Sequence, residues 1–258
     1  MPSSPKTVTR YLRIGHRFVE GWVEPGALRL VAGLAEAQRR LGVRGGVAEI
    51  GVHHGRFFLA LHLTRGPGEA SIAVDLFDEQ EHNVDKSGRG DLSAFRANLH
   101  RHAADPQATI IAADSSTLDG EALIEHADGR IRMFSVDGGH FAELVEHDMA
   151  TARDSLAPGG IIIGDDVFNF QWPGAAEGTL AFLSRCDDVV PFAIGFNKVF
   201  FTHRDYANRY REAVEAAAPR QLWACKSSVM HGEKVAVVWT APPRLLVRLL
   251  TKRLLGLT

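Results

Sequence analysis

The chain has 258 residues, 45% of them hydrophobic, enough for one large core with appendages on a single domain. A formal net charge of −2 carries no basic footprint, which excludes a nucleic-acid partner held by bulk charge and points to small or neutral partners. Cys186 and Cys225 stand far apart, against a disulfide scaffold or thiolate metal site, and no signal-like or bilayer-length apolar run is present, so a cytoplasmic location is expected.

In residues 11–41 hydrophobes recur at helical spacing, clearest in Leu30, Leu34, Ala37 and Leu41, and Pro25 with Gly26 breaks the run into two helices. A short apolar strand, 47–50, then enters the turn EIGVHHG and a helix over 56–63. Gly51 and Gly55 let the backbone pass close to a ligand, while Glu49 and the helix start offer opposite kinds of polar contact. The next strand, 71–74, ends at Asp75, where nucleotide-binding sheets place an acid on ribose hydroxyls. The polar stretch FDEQEHNVDKSGRGD is too long for an ordinary connection and reads as a lid or a solvated insertion; as a lid, its Gln80, Asn83 and Arg89 suit a hydroxyl-rich substrate. A helix over 92–102 leads to a strand over 108–113 that ends at Asp114 and Ser115, either a helix cap or hydrogen-bonding partners for a purine.

The unit around which the rest is organised follows: a strand over 130–136 ending at Asp137, a crossover helix, and a strand over 161–164 ending at Asp165 and Asp166. If the two strands are parallel, their carboxyl ends share the edge where open α/β sheets bind ligands. Three converging carboxylates repel unless a cation lies among them, and hard oxygen donors suit Mg²⁺, Mn²⁺ or Ca²⁺. His140, separated from Asp137 by two glycines, is a candidate proton acceptor beside that cation. The competing interpretation makes the aspartates caps and His140 a helix-start residue.

Beyond the aspartate pair, Phe168, Asn169, Trp172 and Glu177 are placed either to pack against a sugar or ring or to form a corner of the core. Strands over 189–195 and 198–202, joined by Phe196-Asn197, form an antiparallel hairpin at the sheet's far edge. A helix over 205–218 and a further small hairpin turning at His231-Gly232 complete the body. The terminus PPRLLVRLLTKRLLGLT repeats Arg244, Arg248 and Lys252 among leucines, a basic amphipathic helix that docks on the protein or on a second copy, or touches a membrane surface.

With EIGVHHG, Asp75, DGGH at 137–140, LAPGG at 156–160, the Asp165-Asp166 pair and the hairpin in view, residues 45–202 resemble the class I S-adenosylmethionine-dependent methyltransferases. Within these they are most similar to metal-dependent O-methyltransferases acting on sugars, including macrolide and aminocoumarin sugar enzymes and those of bacterial polysaccharide assembly. The resemblance implies an α/β, Rossmann-like, doubly wound and mostly parallel seven-stranded sheet with a terminal antiparallel hairpin. It implies a helical extension over 1–44, a cofactor-binding core over 45–203 and a carboxyl-terminal part of the same domain over 204–258. It implies S-adenosylmethionine bound by Glu49, Gly51 and Gly55 (methionine part), Asp75 (ribose) and Asp114 with Ser115 (adenine). Mg²⁺ on Asp137, Asp165 and Asp166, with His140 taking the proton, completes the implied set. His53 and His54 stand where the family commonly has small residues and, with Gln80, Asn83, Asn169, Trp172 and Glu177, are candidates for contact with a small-molecule or oligosaccharide acceptor. A homodimer is expected. An O-methyltransferase of small phenols or catechols, and a non-catalytic nucleotide-binding protein, are the competing readings.

Overall fold

The structure, a computed structural model, describes residues 4–78, 81, 83 and 86–243. Its centre is a run of parallel strands, β1 (Gly46–Ile50), β2 (Ser71–Asp75), β3 (Thr109–Ala112), β4 (Ile131–Val136) and β5 (Leu156–Asp165), ordered β3-β2-β1-β4-β5. The chain order therefore reverses at β1, and the neighbouring β1 and β4 send their carboxyl ends into one crevice. Successive strand residues enter opposite cores. Val47, Ala73 and Ile161 join one cluster, while Ala48, Ile72 and Ile162 join the other. The first cluster is covered by α1 (Pro5–Arg13), α2 (Pro25–Leu41), α3 (Phe58–Leu63), α4 (Leu92–His102) and α8 (Arg204–Gln221). The second is covered by α5 (Gly120–Ala127), α6 (Ala142–Ser155) and α7 (Pro173–Arg185).

The LAPGG segment belongs to β5, which starts at Leu156 rather than at Ile161. Leu156 pairs with Ile131, and the register then slips so that Met133 meets Ile161. The slip is a bulge pinned by the Tyr210 hydroxyl, which donates to the Gly159 carbonyl at 2.6 Å. β6 (Val189–Gly195) and β7 (Lys198–His203) form the expected hairpin, with Phe196 and Asn197 both left-handed (φ 57° and 65°) as a two-residue turn requires. β7 lies antiparallel to β5 and opposes Lys198 to Asp165. At Gly26, near the start of α2, a Cβ would collide with the Phe196 ring, so that helix seats directly on the turn.

The second hairpin, β8 (Trp223–Met230) and β9 (Glu233–Thr240), extends the seven strands to nine because β9 adds parallel to β6. No helix among the described residues is long and apolar enough to cross a membrane. The basic terminal helix expected over residues 244–258 lies outside the described residues.

Candidate active site

A cavity of about 990 Å³ opens at the carboxyl ends of β1, β2, β4 and β5, and one wall includes Glu49, Gly51, His53, Asp75, Asp114 and Ser115. Glu49 is buried (1% exposed), and neither of its carboxylate oxygens has a hydrogen-bond partner. Burial pushes its pKa well above the ordinary value, opposed by the charge of Lys198. An unpaired buried carboxylate is costly, and an ammonium group entering the cavity would satisfy it. Beside it, Gly51 (φ 82°) is required twice over: its backbone is left-handed, and a Cβ there would collide with the Asp137 carbonyl.

Asp75 accepts the His53 amide at one oxygen and the Phe77 amide at the other, both at 2.6 Å, which ties the β2 end to the glycine turn. Asp114 accepts the Ser116 amide at 2.9 Å, as a cap does. The Ser115 hydroxyl donates to Asp148 at 3.1 Å. Asp148, on α6, is fully buried, and burial raises its pKa to about 7 against the Ser115 hydrogen bond. Nothing in the sequence singled it out, because one acid inside a helix looks like any solvated one.

The opposite wall carries the aspartates. Between Asp137 and Asp165 lies Lys198, 2% exposed, with Nζ 2.5 Å from Asp165 Oδ2, 3.9 Å from Asp137 Oδ2 and 4.2 Å over the Phe57 ring. Burial alone would lower the lysine, but Asp165, Asp137 and Glu49 outweigh it and keep the ammonium charged. Burial, then the Asp165 charge, raises Asp137 well above the ordinary carboxylate value. The three-aspartate cluster read from the sequence is thus divided: the protein's own ammonium holds Asp165, while Asp137, His140 and Asp166 each bring one donor atom to within 4.8 Å of the others. At that spacing the two carboxylates fit a divalent cation with the imidazole beside it.

His140 Nε2 lies 3.1 Å from Asp166 Oδ2, and its ring stacks on Trp172 with centroids 4.3 Å apart. Burial would raise Asp166, but hydrogen bonds from His140, Asn169 and Asn197 prevail and lower it to about 2. Asn169 Nδ2 donates to Asp166 at 2.8 Å, so this amide braces the carboxylate. Trp22, Phe141, Phe168 and Phe170 stand exposed around the mouth.

Of the proposed acceptor contacts, His53, Asn83, Asn169 and Trp172 line the cavity. Asn83 also closes its own loop, donating to the Gly88 carbonyl and accepting the Lys86 amide. His54 lies outside the cavity wall and approaches Glu20 at 3.6 Å. Glu177 is exposed on α7 and absent from the wall, and α7 turns its buried face, Ala175, Gly178 and Thr179, inward. Gln80 lies outside the described residues. Lys198 and Asn197 were missed, although a signal existed. A two-residue turn at Phe196-Asn197 fixes the β6–β7 register and puts Lys198 at the strand end.

Residues 48–167 match the family model of a methyltransferase domain, Methyltransf_24. A search of curated proteins gave no match. Among solved structures, the O-methyltransferase NovP is similar at 15% identity and a TM-score of 0.52, over 69% of this chain and 79% of that one. The O-methyltransferase TomG from Streptomyces achromogenes, solved with S-adenosylmethionine (SAM), is similar at 14% and 0.53, over 79% and 91%. The Bacillus cereus O-methyltransferase, solved with S-adenosylhomocysteine (SAH), is similar at 14% and 0.52, over 78% and 91%. The sheet with its reversal at β1 thus has the fold of these O-methyltransferases, and residues 48–167 are similar to a methyltransferase domain.

Proposed function

We propose that the protein methylates a hydroxyl of a sugar acceptor, binding S-adenosylmethionine at the β1–β2 end of the cavity and the acceptor at the β4–β5 end. The observation that carries this reading is one cavity with an unpaired buried Glu49 at one end and the His140–Asp166 pair at the other. Glu49 is suited to the ammonium of the cofactor, the Gly51–Gly55 turn to its close approach, Asp75 to ribose hydroxyls, and Asp114 with Ser115 to adenine. The cofactor supplies a methyl group already activated as a sulfonium, so the remaining obstacle is the acceptor's proton.

Asp166, ionised down to about pH 2, favours the His140 tautomer with its proton on Nε2. Nδ1 is then the atom that accepts the proton from the hydroxyl, and Trp172 holds the ring plane. Asp137 and Asp166 would hold a divalent cation, Mg²⁺ by donor hardness, which would supply charge to the developing alkoxide. Lys198 holds Asp165 in place behind them.

The exposed Trp22, Phe168 and Phe170 suit the apolar face of a sugar. The same rings favour a second reading, a phenolic acceptor. Titration of SAH, then turnover with sugar and catechol panels in Mg²⁺ or chelator, tests both. Cofactor binding in both conditions with metal-dependent sugar methylation is expected. Methylation of catechols alone would select the second reading, and no SAH binding in either condition would overturn the assignment. His140→Ala should keep SAH affinity and lose at least about tenfold in turnover; unchanged turnover removes His140 as the base.

A further inference from the structure

We propose that Glu20, His53 and His54 form a separate site for a transition-metal dication of the zinc class, which ties the amino-terminal segment to the glycine turn. One donor atom from each of the three lies within 4.8 Å of the others. His54 Nδ1 is 3.6 Å from Glu20 Oε2, too long for a hydrogen bond, so the donors converge without satisfying one another. The two imidazoles are stacked, with centroids 4.0 Å apart and planes 13° apart. Consecutive side chains diverge from helix or strand backbone. Here the left-handed conformation of His53 (φ 52°) accompanies their alignment.

His53 Nδ1 is shielded from solvent and makes no hydrogen bond of normal geometry, the backbone of Glu20 adding only a weak attraction. Two imidazoles and one carboxylate form a softer set than the carboxylate pair of Asp137 and Asp166, which separates zinc-class from magnesium-class occupants.

The position gives the site a purpose. Residues 20–24 roof the cavity, Trp22 packs on His53 with centroids 5.4 Å apart, and Arg56 donates to the Gly21 carbonyl. A metal ion bridging Glu20 to the two histidines would fasten that roof to the Gly51–Gly55 turn beneath it. This inference is independent of which acceptor is methylated and is tested without turnover.

Tag-free protein in excess Mg²⁺ would be titrated calorimetrically with ZnCl₂. The expected result is one equivalent bound, at least about tenfold more weakly in both Glu20→Gln and His54→Ala and unchanged in Asp166→Asn. Glu20 has a 74% exposed side chain, so its variant remains informative if His54→Ala folds poorly. No zinc binding by the parent, or binding lost in Asp166→Asn but kept in Glu20→Gln, would overturn the proposal.

Discussion

The two ends of the cavity treat buried charge in opposite ways. At the β1 end Glu49 makes no hydrogen bond of normal geometry, whereas at the β5 end Asp165 has Lys198, and Asp166 has His140, Asn169 and Asn197. A buried carboxylate must be neutralised, paired or completed by a ligand. The β1 end is therefore built to be completed from outside. The β5 end is fixed in advance, as a site must be where charge develops during reaction.

Lys198→Met breaks the paired end most directly. It strands Asp165 and Asp137 and should cost about 3–5 kcal/mol in urea unfolding; a loss below about 1 kcal/mol would mean that the two ends are alike. Asp148→Asn tests the buried acid behind Ser115. Its folded pKa of about 7 lies above the unfolded value near 4, so the folded state binds the extra proton and stability should fall by about 3 kcal/mol as pH rises from 4 to 7. The variant should flatten that fall in unfolding measured across this window, and an undiminished fall would assign it to another group.

Glu49→Gln should weaken SAH about 10- to 100-fold by calorimetry, with stability kept or raised because a buried acid is gone. The raised Glu49 pKa adds a sign. The acid must lose its proton to meet an ammonium, so parent affinity should rise with pH and the variant's should not. Equal pH dependence in both would remove Glu49 from the cofactor contact. Glu177→Ala should change stability and turnover least, within about 0.5 kcal/mol, as expected for an exposed position outside the wall; a tenfold loss of turnover would place the acceptor beyond the cavity described.

The parts of this arrangement visible in the sequence were local ones. Strand ends at Asp75, Asp137 and Asp165, the Gly51–Gly55 turn and the Phe196-Asn197 turn each follow from residues adjacent in the chain. What escaped depends on contacts between distant segments. Three aspartates invite a shared cation until β7 pairs with β5 and brings Lys198 opposite Asp165. Asp148 matters only because α6 faces Ser115, and adjacency to the aspartate pair does not say that Glu177 occupies the exposed face of α7.

The seat of Gly26 against Phe196 joins the first tenth of the chain to its final third. Contacts of such long range form late, because the loop between them must close before they contribute. The strands β1 to β5 can pair before the β6–β7 hairpin exists, but Lys198 reaches Asp165 only once that hairpin is laid beside β5 and under α2. During synthesis the amino-terminal helices must therefore wait for a distant segment to leave the ribosome. The β5 end of the cavity becomes one of the last regions to acquire its native form.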